Sequence, residues 1–190
     1  MSAVWGTSLQ GLGLGLPSQI LASPAASILL PIALGSAVGW SISPSMTRKT
    51  YLSLRQPPLR PPSWVFGPVW TVLYGLMGYG IHHAYTTSYH HPGFAATSAL
   101  YTTQLGINLL WTPLFFGIER PEIALVDILA LGANLAALTY NYFTIGDEVA
   151  GWTMVPYMAW ISFATYLNVG VGVLNGWEIT SKREAADKAK

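Results

Sequence analysis

Long apolar blocks separated by short polar segments dominate the pattern of this chain. Asp, Glu, Lys and Arg are absent from residues 1–47, 61–118, 128–146 and 149–177. A membrane-spanning helix needs roughly 20 mostly apolar residues, so the second block is long enough for two helices. The segment SYHHPGF at residues 88–94 divides that block, because its Pro-Gly pair favours a turn.

The pattern predicts five helices, at about residues 23–44, 64–86, 96–117, 121–144 and 151–175. Residues 1–22 are interpreted as an N-terminal tail, since the alternate glycines of GLGLGLP make a poor helix. Residues 177–190 form a charged C-terminal tail. The predicted fold class is therefore an all-α membrane protein, a bundle of five transmembrane helices.

Composition agrees with lipid as the natural solvent. Only 9% of the residues are charged, against about 25% in a typical soluble domain, and 52% are hydrophobic. The chain has no Cys, which excludes disulfides and Cys-ligated metals. Its basic residues are too few and scattered to predict a nucleic-acid partner.

All nine basic residues fall on one side of the predicted bundle. They lie in the first loop, in the third loop and in the C-terminal tail: Arg48, Lys49, Arg55, Arg60, Arg120, Lys182, Arg183, Lys188 and Lys190. Basic loops remain on the cytosolic side of a membrane. We therefore expect a cytosolic C-terminus, in either the mitochondrial outer membrane or the endoplasmic reticulum.

Ionisable and small residues inside the predicted helices allow more than one interpretation. Asp127 is the only carboxylate within a predicted span. A carboxylate in lipid is energetically unfavourable and often functional. The alternative is a structural role at a shallow depth. The adjacent His82 and His83 point in different directions on a helix, so we predict no metal site. Pairs of small residues one helical turn apart favour close helix packing, within the bundle or in a homodimer.

Two tryptophans are placed too deep for an interfacial belt. Trp70 and Trp160 lie well inside predicted helices, and Asn108 is in the middle of another. A few polar groups among aromatic side chains are typical of a site for a flat or bulky apolar ligand. The sequence therefore predicts a central ligand pocket.

Three segments resemble one known family. WVFGPVWTVLYGLMGYG at 64–80, QLGINLLWTPLFFG at 104–117 and VPYMAWISFATYLN at 155–168 are similar to the translocator protein family, also called the tryptophan-rich sensory protein or peripheral-type benzodiazepine receptor family. The resemblance covers about residues 30–175 and suggests a eukaryotic, fungal-like member. It implies a pocket that opens toward the first cytosolic loop and binds porphyrins, haem, sterols or other lipids. Haem and porphyrin are then ligands rather than cofactors.

The resemblance also implies which residues line that pocket. They are Phe66, Gly67, Trp70, Asn108, Trp111, Val126, Ala130, Trp160, Ala164 and Leu167. Trp70 and Asn108 match the positions that hydrogen-bond a ligand carbonyl. Trp70 and Trp160 match the tryptophans linked to light-dependent porphyrin breakdown, and they are the only catalytic candidates.

The expected function is that of an integral membrane receptor or carrier of tetrapyrroles and sterols. Two alternatives stay open: a light-dependent porphyrin-degrading enzyme, and a proton-coupled transporter that uses Asp127. The chain departs from the family pattern at Leu59 and Arg60, where Trp and His are usual, and it lacks the sterol motif of animal members after Tyr166. These departures favour porphyrin-like ligands. The Arg-Pro-Pro segment restrains the first loop to an extended path, as a lid over the pocket.

Overall fold

The computed structural model describes residues 15–179, and their regular secondary structure is helical. This confirms the all-α class for that part of the chain. The helices are α1 (Ser18–Ala22), α2 (Pro24–Ser41), α3 (Pro44–Ser53), α4 (Phe66–Ser88), α5 (Phe94–Thr112), α6 (Pro121–Thr144) and α7 (Glu148–Asn175). A 3₁₀ turn at Ser63–Val65 precedes α4, and a π-helical turn at Pro113–Gly117 follows α5. The predicted tails lie largely outside the described residues.

Local chemistry explains where the long helices begin and end. Pro24 and Pro121 occupy the first positions of α2 and α6, where a missing N–H costs no hydrogen bond. The Asp147 carboxylate accepts a hydrogen bond from the Ala150 N–H and caps the start of α7. At the other end of α7, Gly176 adopts the left-handed conformation (φ 67°), and the Trp177 N–H donates to the Gly172 carbonyl. This is the glycine-terminated motif that satisfies the last carbonyls of a helix.

The five long helices form a closed ring in the order α2, α4, α7, α6, α5. Sequence neighbours α6 and α7 pack along most of their length, whereas α4 contacts α7 more extensively than it contacts α5. The pairing of α4 with α7 brings residues about 85 positions apart into contact. Helix order in the ring is therefore set by tertiary packing.

Small residues decide how closely α2 approaches α4. A Cβ on Gly78 would lie 2.7 Å from the Ile28 Cα, and a Cβ on Gly35 would lie 2.6 Å from a ring carbon of Tyr74. These glycines pack within the chain. A Cβ on Gly39, one turn beyond Gly35, would meet no described atom within 4 Å, so packing within the chain does not account for this glycine. The homodimer stays a prediction.

Packing differs between the two ends of the bundle. At the end that contains Asp147, side chains such as Met77, Ile81, Leu138 and Met154 have no exposed surface. At the end that contains the basic loops, the inward-facing aromatic side chains of α4 and α7 are only partly buried. The end that contains Asp147 thus has a tightly packed core. The end that contains the basic loops, which we call the basic end, combines a buried cluster that includes Leu54 and Phe115 with partly buried aromatic rings.

Within residues 15–179, three helices, α2, α6 and α7, are long and apolar enough to cross a membrane. Helices α4 and α5 have 23 and 19 residues, but they include more polar side chains. This finding agrees with an integral membrane protein. That all five long helices cross the membrane stays a prediction.

Asp147 links three segments at the tightly packed end. Its carboxylate lies 2.9 Å from His83 Nδ1 and accepts a 2.9 Å hydrogen bond from the Thr87 hydroxyl, besides capping α7. We expect Asp147→Ala to reduce the free energy of unfolding by about 1–2 kcal/mol, the usual cost of a lost helix cap together with its neighbouring bonds. Thermal unfolding in detergent measures this, with the exposed Glu148→Ala as the control. Equal stability of the two variants would contradict the assigned role of Asp147.

Candidate ligand-binding site

Aromatic side chains from α3, α4 and α7 gather at the basic end. The Phe66 ring lies 5.8 Å from the Tyr51 ring and 5.8 Å from the Trp160 ring, both edge to face. The Trp70 ring lies 5.9 Å from the Tyr157 ring. Aromatic pairs favour this edge-to-face geometry. We call these five residues, Tyr51, Phe66, Trp70, Tyr157 and Trp160, the aromatic cluster. They lie where α4 and α7 face each other.

Hydrogen bonds of Asn108 connect this cluster to α5. Its Oδ1 accepts a 2.7 Å hydrogen bond from the Tyr74 hydroxyl, and its Nδ2 donates a 2.8 Å hydrogen bond to the Tyr157 hydroxyl. Asn108 is only 5% exposed. In this structure its amide is therefore occupied by protein groups, and one Nδ2 hydrogen and one Oδ1 lone pair remain for a ligand.

Two indole N–H groups of the cluster have no partner among the described residues. The Trp160 Nε1 is buried and makes no hydrogen bond. The Trp70 indole N–H also makes none, although the Trp70 side chain is partly exposed. Buried polar groups in proteins are nearly always hydrogen-bonded, and an unpaired one costs about 1–3 kcal/mol. The cluster therefore presents one buried and unused donor, the Trp160 N–H, in an apolar setting.

Trp111 has a different environment from Trp70 and Trp160. Its Nε1 donates a 3.1 Å hydrogen bond to Asn168 Oδ1, and its ring stacks on Phe115 at 4.9 Å. The Asn168 amide in turn donates to the Pro121 carbonyl at 3.0 Å. Trp111 thus links α5 to α7 and to the start of α6, with its N–H already in use.

The remaining predicted site residues are divided between the interior and the surface. Ala164 packs against the core and Leu167 is buried, both on α7. Gly67 is exposed at the start of α4. Val126 is 68% exposed, and Ala130 is exposed as well. The structure places Val126 and Ala130 on the outer face of α6, away from the buried face of that helix, and does not bring them to the aromatic cluster.

Asp127 lies beside this outer face, about two turns into α6. It is partly buried, and its Oδ2 atom has no hydrogen-bond partner among the described residues. It forms no ion pair with a described residue. A carboxyl group in this position is compatible with either alternative for Asp127, a functional proton site or a shallow polar group.

The loop between α3 and α4 lies at the basic end and is hydrogen-bonded to α7. Asn175 forms two hydrogen bonds with the backbone of Arg55, at 2.8 and 3.0 Å. Farther along, the Tyr166 hydroxyl donates to the Pro58 carbonyl at 3.0 Å. The Tyr51 hydroxyl donates to the Pro61 carbonyl at 2.7 Å. The loop therefore lies over the cluster in a fixed conformation.

Sequence reasoning did not identify several residues of this site. Tyr51, Tyr74 and Tyr157 contribute rings or hydroxyls to the site, and Tyr166 and Asn175 hold the loop. Each lies in an apolar segment that gives no sign of its partner. The one available signal was spacing, since Tyr74 and Tyr157 lie one turn from Trp70 and Trp160 on the same helices.

Comparisons with known proteins agree with this architecture. The model of the TspO/MBR family matches residues 27–174. The translocator protein homolog of Schizosaccharomyces pombe is 38% identical over 153 residues, covering 77% of this chain and 88% of the relative. The tryptophan-rich protein TspO of Archaeoglobus fulgidus is 36% identical over 150 residues, covering 79% and 95%. The human translocator protein is 37% identical over 159 residues, covering 81% and 92%. With its five-helix ring and a family match over most of its length, this chain belongs to the TspO/MBR family.

Proposed function

We propose that this protein is an integral membrane receptor or carrier for tetrapyrroles, porphyrin or haem, with sterols as a second ligand class. The ligand binds at the aromatic cluster, beneath the loop between α3 and α4. All five long helices cross the membrane in this proposal, and the basic loops face the cytosol because positive loops are retained there.

The main support is the buried, unpaired indole N–H of Trp160. An incoming ligand that carries a carbonyl or carboxylate oxygen would pair with this N–H and remove the cost of an unsatisfied buried donor. An aliphatic ligand without an acceptor would leave that cost in place. The cluster therefore favours ligands that combine a large apolar surface with a hydrogen-bond acceptor.

The shape of the cluster supports a flat ligand. Phe66, Trp70 and Trp160 present partly buried aromatic rings from two facing helices, and Phe66 contacts Trp160 edge to face. A planar macrocycle can stack on such rings with little loss of side-chain freedom. The carboxylates of a porphyrin also supply acceptors for the indole donors.

Titration with protoporphyrin IX in the dark tests this proposal. We expect saturable quenching of tryptophan fluorescence in the purified protein. Trp160→Phe and Trp70→Phe are each expected to raise the Kd about tenfold, because each removes one hydrogen bond and keeps an aromatic ring. Trp152→Phe, an exposed tryptophan near the start of α7, is the matched control and should leave the Kd unchanged.

Each outcome of this titration separates the candidate functions. Non-saturable quenching, or equal Kd values in all variants, would contradict tetrapyrrole binding at the cluster, and sterols would then be tested by the same design. Illumination of the bound samples addresses the enzymatic alternative. Loss of the porphyrin spectrum under light that requires Trp70 or Trp160 would show a degrading enzyme rather than a carrier.

A further inference from the structure

Leu59, in the loop between α3 and α4, combines two unfavourable features. Its side chain is 84% exposed, and its backbone adopts the left-handed conformation at φ 65°. A leucine rarely adopts that conformation, because its Cβ crowds the backbone. Such an outlier persists only where the surrounding structure holds it in place, and it points to a functional role.

The surrounding structure holds Leu59 through contacts along α7. Arg55 is bonded to Asn175, Pro57 packs against Gly170, and Pro58 is bonded to Tyr166. These partners occur in descending order along α7, so the loop runs antiparallel to the helix. The three positions from Arg55 to Pro58 span at most about 11 Å, which is about two turns of α7. Leu59, which follows Pro58, therefore lies well below the end of α7.

This depth places Leu59 at the level of the lipid. The 28-residue α7 is about 42 Å long, which matches the thickness of a bilayer with its headgroups. Two turns from its end toward the centre therefore reach the outer part of the acyl chains. An exposed leucine at this level faces lipid rather than water. The apolar side chain then gains the burial that the protein alone does not provide.

Two cations lie in the same loop, and two more precede it on α3. Arg48, Lys49, Arg55 and Arg60 are exposed, and none forms an ion pair with a described residue. The segment from residue 42 to residue 65 contains no acidic residue. Unpaired cations beside an apolar side chain are complementary to a phospholipid with a negative headgroup and an acyl chain.

We propose that the loop between α3 and α4 binds an anionic phospholipid from the surrounding leaflet. Arg55 and Arg60 pair with its phosphate group, and Leu59 contacts its acyl chain. The proposal depends on membrane insertion of the bundle and not on the ligand of the aromatic cluster. It assigns a role to Leu59 and Arg60, two of the residues at which the chain departs from the usual family pattern.

Spin labelling tests the position of Leu59. Because the chain contains no cysteine, Leu59→Cys provides a single labelling site. We expect the nitroxide to collide more often with oxygen than with a water-soluble nickel chelate. This preference for oxygen should be larger in phosphatidylcholine vesicles that contain phosphatidylglycerol than in vesicles of phosphatidylcholine alone. Thr86→Cys, exposed near the opposite end of α4, is the control and should remain in water in both. A label at residue 59 that is freely accessible to the nickel chelate in both membranes would overturn the proposal.

Charge substitutions test the arginines. Native mass spectrometry should show that Arg55→Gln with Arg60→Gln retains less phosphatidylglycerol, by about fivefold for each charge removed. The control is the double variant Arg48→Gln, Lys49→Gln, which loses the same charge on α3, away from Leu59. This variant should retain markedly more phosphatidylglycerol. Equal losses in the two double variants would overturn a site at this loop, since the effect would then reflect net charge alone. Inorganic phosphate in the buffer should not displace the lipid; displacement would show that a free anion binds instead.

The porphyrin titration separates this proposal from the function proposed above. The Arg55→Gln, Arg60→Gln variant should keep its phosphatidylglycerol defect whether or not protoporphyrin IX is bound. Intact lipid retention in this variant would overturn the lipid site even if porphyrin binding were confirmed.

Discussion

Gly78→Ala is expected to reduce the free energy of unfolding by about 2–3 kcal/mol, because overpacking at a rigid contact costs this much. The added methyl group would meet the backbone of Ser27 and Ile28 on α2, including the Ile28 Cα at 2.7 Å. A backbone cannot move aside as the end of a flexible side chain can. Helices α2 and α4 would have to separate, and close approach is the main source of attraction between helices in lipid. Unfolding by sodium dodecyl sulfate in mixed micelles measures the change.

Gly75→Ala is the matched control for this substitution. Gly75 lies on the same helix, and a Cβ there would meet nothing within 4 Å. Alanine has the higher helix propensity, so Gly75→Ala should leave stability unchanged or raise it by up to about 1 kcal/mol. If Gly78→Ala behaved like Gly75→Ala, the close contact between α2 and α4 would be refuted.

Asn108→Ala is expected to reduce the free energy of unfolding by about 2–3 kcal/mol. The substitution removes one hydrogen bond from each of two tyrosine hydroxyls, and Tyr157 is completely buried. A buried hydroxyl that loses its partner costs about 1–3 kcal/mol. Thermal unfolding in detergent measures the loss.

Asn134→Ala serves as the control for Asn108. Asn134 lies on α6, is also partly buried, and its Oδ1 has no hydrogen-bond partner among the described residues. Its removal should cost much less. A similar loss in both variants would mean that any asparagine in the bundle matters equally, and the network from Tyr74 through Asn108 to Tyr157 would lose its assigned importance. Because Asn108→Ala affects stability, ligand binding is better tested at Trp70 and Trp160.

Much of the helical architecture could be predicted from the chain itself. Blocks without charge can only be accommodated as helices in lipid, where every backbone polar group must be bonded within its own segment. Pro121 at the first position of a helix and the Pro-Gly pair before α5 marked two boundaries that the structure places close by. Helix α3 was not predicted, because its ten residues are polar on average and lack an apolar stripe that would identify it.

The candidate site was predicted only in part. The pattern identified two aromatic residues and one amide deep in apolar helices, namely Trp70, Trp160 and Asn108. The structure gathers these helices into one ring. That Asn108 is already bonded to two tyrosines, or that Val126 lies on an outer face, could not be predicted. Both depend on the rotation of each helix about its own axis, which is set by packing against neighbours.

The sequence by itself determined the solvent, the number of long helices and the asymmetry of charge, because each depends on composition within a single segment. The tertiary structure decided the order of the helices in the ring, the pairing of α4 with α7 and the path of the loop down α7. These features arise from contacts between residues up to 120 positions apart, such as Arg55 with Asn175. Such contacts depend on shape and on complementary polar atoms across helices, and the pattern within either segment does not contain that information.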